Sequence, residues 1–188
     1  MIRNLEELMY QMSDFFMAPV LILLAILFGY SLIALGAFFC QSWQRRQNRS
    51  NFFDALEGEQ SGDLRGYPLV ALRRSKPSVS QDELDVAALE DMEGVRMVSR
   101  LAPMLGLIAT MVPMGPALKS LADGNVQGIS ENLIVAFSAV IFGLVIASVT
   151  FWIASVKKRW LAAELVAISS RIEALNAAND EGEIREAA

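Results

Sequence analysis

Two apolar segments without a charged residue, Leu101–Leu118 and Leu133–Val156, constrain this chain more than any other feature. A short polar stretch, Lys119–Asn132, joins them. About 20 residues of helix, rising 1.5 Å each, cross a hydrocarbon core of ~30 Å. Helix is the natural conformation for such segments in lipid, because it satisfies its own backbone hydrogen bonds. The pair therefore reads as a transmembrane helical hairpin.

A third apolar run, Ala18–Cys40, exceeds the roughly 7–15-residue core of a secretory signal. Glu6, Glu7 and Asp14 precede it with the wrong charge, and Phe38 and Phe39 before Cys40 offer no small residues for cleavage. It is expected to be a retained span. The composition agrees: 54% of the 188 residues are hydrophobic, a high share for a soluble domain. A net charge of −5 argues against nucleic-acid partners, which need a basic surface. Histidine is absent, which removes the commonest general base and metal ligand. The single cysteine, Cys40, rules out an internal disulfide or a cysteine metal cluster and is expected to be a small packing residue.

Positive flanks stay on the cytoplasmic side. Trp43, an interfacial aromatic, is followed by Arg45, Arg46 and Arg49. Arg73, Arg74, Lys76, Arg96 and Arg100 lie in the next connection. Lys157, Lys158 and Arg159 follow the last span beside Trp160, whereas Lys119–Asn132 holds one Lys, one Asp and one Glu. The expected fold is an all-α membrane protein with three transmembrane helices, N-out and C-in, and cytoplasmic helical extensions. Its segments are an N-terminal amphipathic helix (1–17), spans at 18–43, 100–118 and 133–156, a cytoplasmic helical region (44–99), a short external loop (119–132), and a C-terminal helix and tail (157–188).

Within 1–17, Leu5, Leu8, Met9, Met12, Phe15 and Phe16 recur at helical spacing, suiting either the membrane interface or another subunit. Pro19 is expected just inside the start of the first span. Asn51–Glu57 predicts a helical turn or two, weakened by Gly58. Tyr67–Leu72 is a short apolar run, and Arg73–Ser80, with Pro77, reads as a loop. Ser80 and Glu83 match a capping box. From there Leu84, Ala87, Ala88, Met92, Val95 and Val98 predict one long helix that enters the membrane, bent near Pro103. After the third span Leu161, Leu165, Ile168, Ile172 and Leu175 form a coiled-coil-like seam, expected to pack on the helix preceding the second span. Asn176–Ala188 is expected to fray.

Small residues stripe the third span (Ala136, Ala139, Gly143, Ala147, Thr150, Ala154), the second (Ala102, Gly106, Thr110, Pro113, Ala117) and the first (Ala25, Gly29, Gly36). Such faces permit close helix packing in lipid; Gly106, Pro113, Ala139, Gly143 and Ala147 are the candidate packing residues. Thr110, Ser138, Ser148 and Thr150 are hydroxyls inside the spans. The plain reading of each is a hydrogen bond to a carbonyl one turn earlier. No Asp, Glu, Lys or Arg lies within the apolar runs Ala18–Cys40, Leu101–Leu118 and Leu133–Val156, yet membrane proton relays usually employ a carboxylate. If the chain conducts protons, a partner must bring it, since Glu131, just before the third span, reads as an interfacial anchor or helix-start residue. No nucleophile–base pair, phosphate loop or metal-ligand spacing is evident, so no enzymatic activity and no cofactor are expected.

Ala102-Pro103-Met104-Leu105-Gly106-Leu107-Ile108-Ala109-Thr110 resembles the APLLGLLGT segment of the MotA/TolQ/ExbB proton-channel family. Gly128-Ile129-Ser130-Glu131-Asn132-Leu133-Ile134-Val135-Ala136, followed by Gly143-Leu144, resembles its GISEALIATAxGL segment. The three-span topology with a large inner loop is similar to the ExbB/TolQ branch. The resemblance implies a pentamer around a pair of helices from an ExbD/TolR/MotB-like single-span protein carrying a membrane aspartate. It implies protons passing between that aspartate and a ring of hydroxyls, with rotation of one component within the other. The second-span family threonine falls on Thr110. The third-span one falls on Ala136 or Val140, neither with a hydroxyl, and Ser138 is the nearest candidate. The expected function is an ion-conducting stator subunit of the inner membrane, with the proton as the ion, coupling ion-motive force to mechanical work; the alternative is a non-conducting scaffold that organises a partner complex.

Overall fold

A computed structural model describes the backbone of residues 2–57, 62–76 and 78–186, and the side chains within that range except those of 2–14, 175, 176 and 178–186. The described residues form five helices and no strand: α1 (Ile2–Gln47), α2 (Arg49–Glu57), α3 (Pro68–Ser75), α4 (Gln81–Ala122) and α5 (Val126–Glu186). Three of them, α1, α4 and α5, are long and apolar enough to cross a membrane. The protein is an all-α membrane protein.

The helices run further than the local signals suggest. α1 is continuous from Ile2, so Pro19 lies well inside it rather than at a helix start. One missing N–H is a small loss within a long apolar helix. The apolar face proposed over Leu5–Met12 falls on side chains outside the description. α4 likewise passes through Pro103, Pro113 and Pro116. Arg73–Ser75, expected as loop, belong to α3, which Pro68 opens at its first turn, where the absent N–H costs nothing. Gly58 and Pro77 lie outside the described residues. The chain past Asn176, expected to fray, is helical as far as Glu186.

The 119–132 connection shrinks to Asp123, Gly124 and Asn125. Asn125 N–H bonds Ser120 O at 2.8 Å and Gly124 N–H bonds Leu121 O at 3.1 Å, the paired bonds of a Schellman cap. Gly124 supplies the left-handed conformation, at φ 69°. Asn125 then caps the next helix, its Oδ1 accepting from Gly128 N–H at 3.1 Å. One residue thus ends α4 and starts α5. At the other end of α4 the capping box is formed: Glu83 N–H donates to Ser80 Oγ at 3.2 Å, and Ser80 N–H to Glu83 Oε2 at 3.0 Å.

The chain divides into two compact units, residues 1–35 with 95–153 and residues 36–94 with 154–188. The core of the first comprises Leu24, Ala102, Ala109, Ala139 and Ile146, flanked by Val20, Leu21, Leu27, Phe28, Val98, Leu105 and Ala147. The second core gathers Phe52, Leu64, Tyr67, Leu69 and Val70 against Leu84, Ala88 and Met92 of α4 and Leu161 and Ile168 of α5. Leu161, Leu165, Ile168 and Ile172 of the expected seam pack there, Leu165 and Ile172 at its margin, and the side chain of Leu175 lies outside the described residues. It meets α4 as foreseen and also the α2–α3 segment. Cys40 is exposed rather than packed.

Candidate functional site

In the first unit α4 and α5 approach through small residues. Ala102, Ala109 and Ala117 of α4 and Ala136 and Ala139 of α5 are buried, as are Pro113, Gly106 and Gly143. A methyl group on Gly143 would stand 2.8 Å from Ala102 O and 3.1 Å from Gly106 Cα; one on Gly106 would stand 3.5 Å from Gly143 Cα and Val140 Cα. The helices meet backbone to backbone at Gly143, as small residues allow where lipid provides no hydrophobic drive. Ala147 is half-buried at the edge of the same core. The first-span glycines take no part: a methyl on Gly29 or Gly36 would meet nothing within 4 Å.

Thr110 is half-buried on the flank of this contact. Its hydroxyl donates to Leu107 O at 2.6 Å, the local bond a span hydroxyl ordinarily makes. The oxygen lone pairs remain able to accept. Pro113 and Pro116 remove the N–H groups that would bond Ala109 O and Val112 O, so acceptors exceed donors around Thr110. Thr150 is fully buried and bonds Ile146 O at 2.7 Å. Ser148 bonds Leu144 O at 2.8 Å and stays exposed.

Ser138 lies elsewhere. It lines a groove of about 390 Å³ with Leu21, Leu24, Ala25, Phe28, Val135, Ala139 and Phe142, between α1 and α5. Thr110 does not line it, so the two candidate hydroxyls stand in different surroundings. Val140, one possible position of the missing threonine, faces Gly106 across the α4–α5 contact. Glu131 is exposed and accepts from Gln127 Nε2 at 3.0 Å.

The second unit contains a buried ion pair that charge counting along the sequence does not reveal. Arg45 Nη1 pairs with Glu164 Oε1, whose side chain is 0% exposed. Glu164 Oε2 accepts from Leu69 N–H at 3.1 Å, and Arg45 Nη1 also donates to Gly66 O at 2.9 Å. The guanidinium lies 4.3 Å from the Tyr67 ring centre and 5.0 Å from that of Trp160. Phe52 stacks on Tyr67 at 4.5 Å and Phe38 on Trp160 at 5.2 Å, so each ring that Arg45 lies over is backed by a phenylalanine. Burial pushes the Glu164 carboxyl above its usual range, against Arg45 and the amides of Leu69 and Val70, which pull it down. The recoverable signal was positional: Glu164 falls on the same helical face as Leu161, Leu165 and Ile168.

The sequence pattern of the MotA/TolQ/ExbB proton channel family matches residues 76–170, half of the chain. The protein belongs to that family. Within the MotA/TolQ/ExbB match lie the α4–α5 contact, Thr110, Ser138 and Glu164. Arg45, α2 and all of α3 fall outside it, so the buried ion pair joins the family region to the rest of the chain. No match is found among curated proteins or among solved structures.

Proposed function

We propose that this chain is the channel-forming subunit of an ion-driven motor, working as an oligomer, a pentamer as in the ExbB/TolQ branch. It surrounds a single-span ExbD/TolR/MotB-like partner in the cytoplasmic membrane, oriented N-out and C-in, and couples proton flow to mechanical work. One observation carries the reading: a member of a proton channel family has no Asp, Glu, Lys, Arg or His in any of its three apolar runs, Ala18–Cys40, Leu101–Leu118 and Leu133–Val156. A titrating group is needed at membrane depth, so the partner supplies it as a carboxylate. This subunit supplies acceptors and a rigid wall. Thr110 provides the hydroxyl, together with the proline-freed carbonyls of Ala109 and Val112. The Gly106–Gly143 contact holds α4 against α5 while the partner's carboxylate passes. Ser138, among seven apolar neighbours, is the secondary candidate.

The absence of a hydroxyl at Ala136 and Val140 favours a second reading, a non-conducting scaffold. Dye-reported proton uptake separates the two. The complex is captured through this chain from its own membranes and placed in liposomes under an imposed gradient. Partner-dependent uptake that falls severalfold in Thr110→Val, with assembly intact, supports conduction. Uptake no faster than through empty liposomes refutes it, and unchanged uptake in the variant removes Thr110 from the path.

A further inference from the structure

Arg45, Arg46 and Arg49 look equivalent as a positive flank, but the structure separates them. Arg45 turns inward to Glu164. Arg46 and Arg49 are exposed and have no ion-pair partner among the described residues. Directly before them Phe39 is 59% and Trp43 72% exposed. Spacings of four and three residues place Phe39, Trp43 and Arg46 on one face of α1. From Phe39 to Arg46 the helix rises about 10 Å, passing from an aromatic ring, through an indole, to a cation. Earlier on the same helix Leu32 and Ile33 are also exposed.

That order matches the profile of a bilayer surface. Apolar side chains suit hydrocarbon, exposed Trp suits the interface, and basic residues beside a span attract anionic headgroups. Two unpaired guanidiniums are suited to phosphate oxygens, which Arg binds with two parallel N–H donors. We propose that the face formed by Phe39, Trp43 and Arg46, together with the exposed Arg49 that opens α2 three residues on, binds an anionic phospholipid headgroup, with the arginines on the phosphate and Trp43 at the glycerol level. An acidic protein segment fits the cations but not two large aromatic rings on a helix that crosses the membrane. The proposal is independent of ion conduction.

The test uses the full chain in phosphatidylcholine vesicles doped with brominated phosphatidylglycerol or brominated phosphatidylcholine. Quenching of Trp43, isolated as the difference between the parent and Trp43→Phe, reports the relative affinity for the two lipids. A Lys or Arg near a charged membrane surface contributes ~1 kcal/mol, about fivefold in affinity. The parent should prefer phosphatidylglycerol severalfold. Arg46→Gln/Arg49→Gln should bring the preference close to unity, and both side chains are exposed, so the fold should survive. Equal quenching by both lipids in the parent overturns the proposal, as does a preference that survives the double substitution.

Discussion

Gly106 and Gly143 face each other, yet the geometry predicts opposite responses to alanine. A methyl on Gly143 would lie 2.8 Å from a backbone oxygen and 3.1 Å from a backbone carbon. Neither can rotate away, so α4 and α5 must separate by several tenths of an ångström. Overpacking of this kind costs about 1–3 kcal/mol. A methyl on Gly106 meets its neighbours at 3.5 Å or more, an ordinary contact that adds dispersion without strain. Alanine's helix-propensity advantage of ~1 kcal/mol largely cancels in a micelle, where the denatured spans stay helical. Gly143→Ala should therefore lose about 1–3 kcal/mol, and Gly106→Ala should be neutral or slightly more stable. Titration with sodium dodecyl sulfate in mixed micelles, followed by Trp152 emission, measures both. Equal shifts for the two variants, or a Gly143→Ala as stable as the parent, would refute the backbone-contact argument.

Removing one partner of the buried pair, by Glu164→Ala or Arg45→Ala, should cost about 3–5 kcal/mol because the other charge stays buried; Arg45→Met with Glu164→Leu should recover much of it, as thermal unfolding in mild detergent would show. At the start of α4, Lys76 and then Ser80 N–H hold the Glu83 carboxyl below its usual value of 4.5. A depressed carboxylate stabilises the fold above that value and loses its effect as pH falls through the lowered pKa. Amide exchange at Glu83 and Leu84, corrected for its intrinsic pH dependence, should therefore lose protection on acidification, and Glu83→Gln should abolish that loss. Ser80→Ala should cost ~1 kcal/mol of cap stability, read from the same amides. Gly66, at φ 95° with a would-be methyl 2.9 Å from Arg45 Cγ and 3.0 Å from Arg45 N, should tolerate alanine poorly; loss of Trp160–Arg45 stacking would appear as a shift in Trp160 emission.

Much of the fold was legible because the governing signals are local. Charge-free runs define the spans, Ser80 and Glu83 announce a helix start, and the spacing of Leu161, Leu165, Ile168 and Ile172 marks a buried face. The misplaced helix boundaries share one cause. Pro19 and the polar residues from Lys119 to Asn132 look like breaks only when local preference is read alone; continuous helices absorb them, and the actual turn needs just Gly124 and the double cap at Asn125. Glu164 was missed for a different reason. Its partner is 119 residues away, and nothing in the local pattern says that Arg45, rather than Arg46 or Arg49, turns inward. In the candidate site Thr110 was found through its motif, whereas the apolar groove around Ser138 depends on α1 meeting α5, which no motif encodes.

The central claim, that this chain builds a channel around a partner, is tested most directly by its subunit count. Native mass spectrometry of the protein extracted from its own membranes in mild detergent should give five copies, with extra mass from a small membrane protein. A stable monomer or dimer would leave no central space for a partner and would contradict the account.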